Sequence, residues 1–245
     1  MIIGSISENK KFEKRVSLVP DIINKYTNLG IEVQITKGYG DHIGFHDDSF
    51  IKAGAKVIES KQEVLKNSHI LIQLDLIEEN DFSNLNKDTT IVGSLNFSQN
   101  KDKIEKLKST GVNIFSLELL PRITRAQSMD ILSSQANLAG YKAVIDAFSY
   151  FEKAIPMMMT AAGTVPAAKV LVVGAGVAGL QAVATAKRMG AVVFATDVRM
   201  ASKEQVESLG GKFLTVEGAE NLETEGGYAK EASEDFKKKQ EQLLS

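Results

Sequence analysis

The sequence predicts an α/β protein made of two doubly wound parallel-sheet domains, the second truncated. Three observations carry that prediction. Short β-branched runs alternate with amphipathic stretches along the chain, the pattern of strands joined by crossover helices. Gly30, Gly54 and Gly111 each fall just past an amphipathic stretch, where a left-handed residue commonly ends a helix. Finally, VLVVGAGVAGLQ sets an apolar run, three spaced glycines and a helix start side by side.

In chain order, the strands of the first domain are expected at Met1–Ile6, Glu32–Thr36, Lys56–Ile58, Ile70–Leu74, Ile91–Leu95 and Asn113–Ser116. Helices are expected between them near Leu18–Leu29, Asp48–Ala53, Lys61–Lys66 and Lys101–Ser109. SSQANLAGYKAVIDAFSYFEKA (133–154) is the longest helical pattern of this half, with Ser133 or Ser134 to cap it and Pro156 to end it. The small, Pro-containing stretch 157–169 reads as a linker. A second β-α-β pattern follows at Val170–Val173, Gly179–Met189 and Val192–Thr196, with a helix near Lys203–Leu209 and a short strand at Lys212–Leu214. Residues 217–227 form a Gly/Glu-rich loop. The last stretch, 229–245, reads as an amphipathic helix with Glu234–Lys238 and Asp235–Lys239 at favourable spacing. Only three strands of the second sheet appear, where a full doubly wound domain has about six. The domains are drawn at 1–132 and 157–245, with 133–156 as a connecting helix.

Composition narrows the function classes. A chain of 245 residues, 43% hydrophobic and 24% charged, has an ordinary globular make-up. A net charge of −2 gives no electrostatic reason to expect nucleic acid. With no cysteine, disulfides, thiolate catalysis and cysteine-based metal sites are excluded. The first fifteen residues have only a short apolar run, so no signal peptide is expected. The uncharged run 170–186 approaches the length of a membrane span. Its glycines and Gln181, with Lys169 and Lys187 close on either side, favour a buried strand followed by a helix.

The glycine turn carries the clearest chemistry. Gly174, Gly176 and Gly179, with Val177 and Ala178 between them, follow an apolar strand and open a helix. Asp197, followed by Val198, ends the next strand about twenty residues on. Gly174 permits the tight turn, Gly176 lets a pyrophosphate reach the N–H groups of the helix start, and Gly179 lets helix and strand pack closely. Asp197 can accept both adenosine ribose hydroxyls and would repel a 2′-phosphate, which favours NAD(H) over NADP(H). Arg199, two residues on, is the lesser alternative as a phosphate partner. The competing reading is a tight strand–helix turn that binds nothing.

Taken with PRITRAQSMDILSSQANLAGY (121–141), EKRVSLVP (13–20), GYGDHIGFHDDSFIKAGAKV (38–57), KEQVESLGGKF (203–213) and GGYAKE (226–231), the whole chain resembles the proton-translocating NAD(P) transhydrogenases. The likeness is to the NAD(H)-binding domain of their alpha subunit, within a family shared with alanine dehydrogenases. The resemblance implies direct hydride transfer from NADH bound by this chain to NADP⁺ held by a partner domain. It implies partner subunits that bind NADP(H) and form a membrane proton channel, a homodimer, and a cytoplasmic location peripheral to the inner membrane through those partners. By the same likeness, Arg122, Asp130 and Ser133 would orient the nicotinamide and its ribose–phosphate linkage. Gln127 would reach toward the second nucleotide, and Tyr228 would sit on a loop that closes over the bound one. An exposed loop capping a helix is the plainer reading of that polar stretch.

Two departures bear on the reading. Alanine dehydrogenases carry a catalytic histidine where VGSLNFSQ places Asn96, and their substrate-binding lysine is missing from ILIQLDLIEE. Arg15 remains, with a structural ion pair as its plainer role. These changes argue against an amino-acid dehydrogenase, the second hypothesis. A non-catalytic nucleotide-binding fragment is the third. No metal is expected: His42 and His46 stand beside Asp47 and Asp48, but that loop reads as the cap of the helix near Asp48. His69 opens a predicted strand without an evident partner.

Overall fold

The computed structural model describes residues 1–121, 123–215, 233, 238, 239 and 242. The chain divides into two compact units, Met1–Asp130 and Ile131–Ser245.

The first unit is built on six parallel strands: β1 (Ile2–Ser5), β2 (Glu32–Thr36), β3 (Lys56–Ile58), β4 (Ile70–Gln73), β5 (Thr90–Gly93) and β6 (Asn113–Ser116). Their order is β3-β2-β1-β4-β5-β6, the doubly wound arrangement with its reversal between β1 and β4. Successive residues of β4 show why the sheet is covered on both faces. Leu71 packs with Val64, Ile91 and Leu107, whereas Ile70 and Ile72 pack with Ile3, Val33 and Phe50. Side chains alternate across a strand, so two apolar faces need two layers of helix. These layers come from α1 (Pro20–Asn28), α2 (Asp47–Lys52), α3 (Lys61–Asn67) and α4 (Lys101–Lys108). Pro20 stands at the start of α1, where its missing N–H costs nothing. Ser60 caps α3 by accepting from Glu63 N–H (3.3 Å). Gly30, Gly54 and Gly111 have φ of 76°, 94° and 87°, as their places after helices predict.

The second unit opens with α5 (Ile131–Tyr150). The expected serine caps do not hold. The helix begins two residues before Ser133, and Ser134 Oγ donates back to the Ile131 carbonyl (3.0 Å) from inside the first turn. Nor does Pro156 end it, since α5 stops at Tyr150. The stretch read as a linker contains a β-hairpin, β7 (Met158–Thr160) paired antiparallel with β8 (Gly163–Val165). Its corner is held by Ala162 N–H donating to Thr160 Oγ1 (3.2 Å), a side-chain turn that a run of methionine and alanine does not announce. Three parallel strands follow in the order β11-β10-β9: β9 (Lys169–Val173), β10 (Val192–Thr196) and β11 (Lys212–Phe213), with α6 (Val177–Arg188) and α7 (Ser202–Ser208) between them. Val144 of α5 joins Ala182, Val183 and Ala186 of α6 and Val193 of β10 in one core. The expected loop 217–227 lies outside the described residues. So does the final helix, apart from Ser233 and the helical positions Lys238, Lys239 and Gln242. Among the described residues no helix is long and apolar enough to cross a membrane.

Candidate functional site

The glycine turn joins β9 to α6, and its three glycines meet three different surroundings. Gly174 has φ of 91°, a left-handed conformation that disfavours any side chain, and its N–H donates to the Thr196 carbonyl of the neighbouring strand (2.8 Å). At Gly179 a Cβ would lie 1.8 Å from the Gly174 carbonyl oxygen, so helix and turn can pack only on bare backbone. Gly176 is different. It is the N-cap of α6, with an extended φ of −75° and ψ of −167°, a conformation open to most residues. Among the described residues, the one atom within 4 Å of a Cβ there is Arg199 Nη2, at 3.7 Å. The described residues therefore do not require glycine at 176. Among the described residues no side chain caps α6, and the first four N–H groups of a helix have no intrahelical acceptor, so within this part of the chain the N–H groups of Val177, Ala178 and Gly179 are left for a ligand or solvent. That arrangement suits an anion.

Asp197 stands just beyond β10. Its side chain is only 5% exposed and is held against the turn by Ala175 N–H, which donates to Oδ2 (2.6 Å). Arg199 grips the same carboxylate with its backbone N–H and Nε on Oδ1 (2.8 and 2.9 Å) and Nη2 on Oδ2 (2.9 Å). Burial works against the charged form, but the bonds from Arg199 and Ala175 outweigh it and hold the carboxyl below its ordinary range. The structure thus brings Gly174, Gly176, Val177, Ala178, Gly179, Asp197 and Val198 together around one helix start.

The remaining predicted residues are distributed differently. Gln127 is exposed on the 3-10 turn Thr124–Met129, and half-buried Asp130 ends that turn, both in the first unit. Half-buried Ser133 lies in the first turn of α5, in the second unit. Arg122 and Tyr228 lie outside the described residues.

Sequence reasoning missed Gly140, inside α5. A Cβ on it would lie 2.0 Å from the Ala178 carbonyl oxygen, so α5 lies backbone to backbone against the first turn of α6. The available signal was a glycine within a long helix, which costs about 1 kcal/mol relative to alanine unless packing requires it.

A concavity of about 520 Å³ lies in the first unit at the carboxyl ends of β1, β4 and β5, lined by Glu8, Gln73, Asp75, Asn96 and Lys103 among others. Glu8 accepts from Leu74 N–H (2.6 Å) and Gln73 Nε2 (3.2 Å). Burial pushes its carboxyl up to about 7 against the backbone bond from Leu74, with nearby Asp75 and Glu13 adding to the rise. Asn96 has a left-handed φ of 52°, and its Nδ2 donates to Gln99 (3.0 Å). Arg15 pairs with Glu13 (2.6 Å). His69 Nδ1 accepts from Ile2 N–H (3.1 Å), the partner its sequence position did not suggest. The loop read as the cap of the helix near Asp48 supplies the N-cap residue, His46, but no side-chain cap bond: α2 begins at Asp47, Asp47 accepts from Gly38 N–H (2.9 Å), and His46 contacts Asp41 (3.0 Å).

The sequence matches the family described as "Alanine dehydrogenase/PNT, N-terminal domain" over residues 4–139 and its C-terminal domain counterpart over residues 143–244. The chain belongs to the alanine dehydrogenase/PNT family. Within this family it is 47% identical to the Rhodospirillum rubrum protein named as the first portion of NAD(P) transhydrogenase subunit alpha, and 43% identical to the protein of the same name from Rickettsia prowazekii. Each alignment covers 100% of this chain and 65% of the relative, so the chain spans about two thirds of their length. The crystal structure of transhydrogenase from Sinorhizobium meliloti matches with a TM-score of 0.83 at 46% identity, over 88% of this chain and 64% of that one.

Proposed function

We propose that this chain is the NAD(H)-binding component of a proton-translocating transhydrogenase, passing hydride between NADH and NADP⁺ held by a partner domain. The observation that carries the reading is the contrast among the glycines: protein atoms account for Gly179 and backbone conformation for Gly174, while the space before Gly176 adjoins N–H groups of α6 that have no acceptor among the described residues. A pyrophosphate would approach those N–H groups there, and Asp197, held on the same turn by Ala175 N–H, would serve a ribose diol. The kinship with proteins named as NAD(P) transhydrogenase subunits supports the same conclusion.

Bound NADH would supply the hydride, and the chain's residues would supply position. Transfer between two nicotinamides moves no proton in the same step, so it needs no general acid or base. It needs the reacting carbons about 3–3.5 Å apart with water excluded. The turn Gly174–Gly179 would hold the pyrophosphate and Asp197 the adenosine ribose, with Val198 beside it. Arg122, Asp130 and Ser133 would orient the nicotinamide end, Gln127 would face the partner's nucleotide, and Tyr228 would close over the bound one. The partners in this reading are NADP(H)-binding and membrane proton-channel subunits, with a second copy of the chain forming a homodimer and the assembly lying peripheral to the membrane.

The test is NADH-dependent reduction of an NADP⁺ analogue by the whole polypeptide, with and without an NADP(H)-binding partner domain. Turnover is expected only with the partner. Gln127→Asn should slow transfer about a hundredfold at saturating NADH while leaving NADH affinity near the parent value. NADH binding without transfer in the presence of the partner would make the chain a nucleotide-binding module and refute the catalytic reading.

A further inference from the structure

Asp197 is the residue that the nucleotide reading assigns to the ribose diol, yet among the described residues its carboxylate already accepts four N–H bonds, one from Ala175 and three from Arg199. A carboxylate has about four lone-pair positions, so two ribose hydroxyls find no acceptor while all four bonds stand. The donors are not equivalent. Ala175 N–H and Arg199 N–H belong to the backbone and are fixed by the turn. The other two sit on a guanidinium whose side chain is 20% exposed, and they can leave together by rotation of that side chain.

Where the guanidinium would go is written in the same geometry. Nη2 lies 3.7 Å from the point where a Gly176 Cβ would stand, so it borders the opening at the start of α6. An anion held by the N–H groups of Val177, Ala178 and Gly179 would come within reach of that side chain. Guanidinium–phosphate contacts are charge-assisted and often two-pronged, and they would compensate for the contact given up on Asp197.

We propose that Arg199 is a specificity-determining latch that competes with ribose for Asp197 and exchanges that carboxylate for the 5′-pyrophosphate of the incoming nucleotide. The proposal rests on the NAD(H) reading and deepens it. The latch penalises ligands that offer a ribose without a phosphate and spares those that offer both. An adenine nucleoside must displace Arg199 and gives it nothing in return, whereas a nucleoside diphosphate gives it a new partner.

The test compares adenosine, ADP and 2′-AMP, each titrated against NADH fluorescence on the whole polypeptide and on its Arg199→Ala variant. The alanine variant should bind adenosine severalfold more tightly and ADP about tenfold more weakly. This opposition of sign is one that a merely structural role would not produce. Arg199→Lys keeps a cation but loses the two-pronged hold, so it should gain adenosine affinity while retaining most of the ADP affinity. If the alanine variant fails to fold, the lysine variant decides: adenosine tightening while ADP affinity holds supports the latch, and adenosine affinity unchanged or lowered overturns it. Adenosine and ADP moving in the same direction, or neither moving, overturns the latch. A loss confined to 2′-AMP overturns the assignment to the 5′ side. Unmutated protein that binds neither ADP nor NADH overturns the nucleotide reading along with the latch, whereas binding of both with no opposed shifts sinks the latch alone.

Discussion

Alanine at Gly176 and alanine at Gly179 add the same methyl group three residues apart, and their consequences are expected to separate cleanly. At Gly179 the added carbon would stand 1.8 Å from the Gly174 carbonyl oxygen and 2.8 Å from its carbon. An ordinary carbon–oxygen contact is about 3.3 Å, so the helix start and the turn would have to part by roughly 1.5 Å. Both partners are backbone, with no side chain to yield, so Gly179→Ala should lower stability by about 2–4 kcal/mol, at or beyond the usual cost of overpacking. At Gly176 the backbone is already extended and, among the described residues, the added carbon meets nothing closer than Arg199 Nη2 at 3.7 Å. Stiffening of the unfolded chain favours alanine by about 0.4–1 kcal/mol, while alanine is the poorer N-cap by a comparable amount. Stability should therefore move by less than about 0.5 kcal/mol. NADH affinity should nevertheless fall at least about tenfold, a loss of about 1.4 kcal/mol, because the methyl occupies the approach of the pyrophosphate. Urea unfolding and NADH fluorescence titration on both variants measure the two effects separately. Undiminished NADH binding by Gly176→Ala, or destabilisation as large as that of Gly179→Ala, would refute the reasoning.

Three further outcomes are expected. Unmutated protein should bind NADH more tightly than NADPH, and Asp197→Ala should weaken NADH binding and narrow the gap; coincident titration curves for the two nucleotides before mutation would contradict this. L-Alanine or pyruvate supplied with nucleotide should give no turnover, because the amide of Asn96 cannot relay a proton, and robust pyruvate reduction would favour an amino-acid dehydrogenase instead. Glu8 titrates at about 7 in the fold against an ordinary 4.5, so the folded state keeps a proton that the unfolded chain loses across that interval, and stability should fall as pH rises through it. Glu8→Gln removes the titration and should melt higher than the parent at pH 8 but alongside it at pH 4; a difference independent of pH would exclude Glu8 as the cause.

What could be read from the sequence is whatever local chemistry decides. The bounds of β2, β3, β6 and β10 match the β-branched runs that predict them, because each run is short and flanked by residues that break strands. The glycine turn was legible for the same reason: a left-handed residue and a bare helix start are needs of a few neighbouring positions. The hairpin Met158–Val165 escaped because methionine, alanine and threonine carry no strong strand signal, and its corner depends on one threonine side chain. The start of α5 was misplaced because serine is a good cap in general, whereas here Ser134 folds back on Ile131. Two features of the candidate site depend on distant or competing partners and left no local mark. Gly140 is required by Ala178, on another helix. Asp197 could be recognised as an acceptor, but which donors would claim it could not.

The contact between Gly140 and Ala178 also limits how portable the glycine turn can be. Strand, turn and helix form a contiguous segment that looks transplantable, yet one wall of the turn is the backbone of α5, contributed by residues that precede the hairpin. A graft of β9 through β10 into a foreign scaffold would leave Ala178 without that wall and Ala182 and Val183 without Val144. The smallest piece able to shape this turn therefore begins at α5, and a design that borrows the turn must carry that helix with it or rebuild a surface flat enough to meet a bare carbonyl.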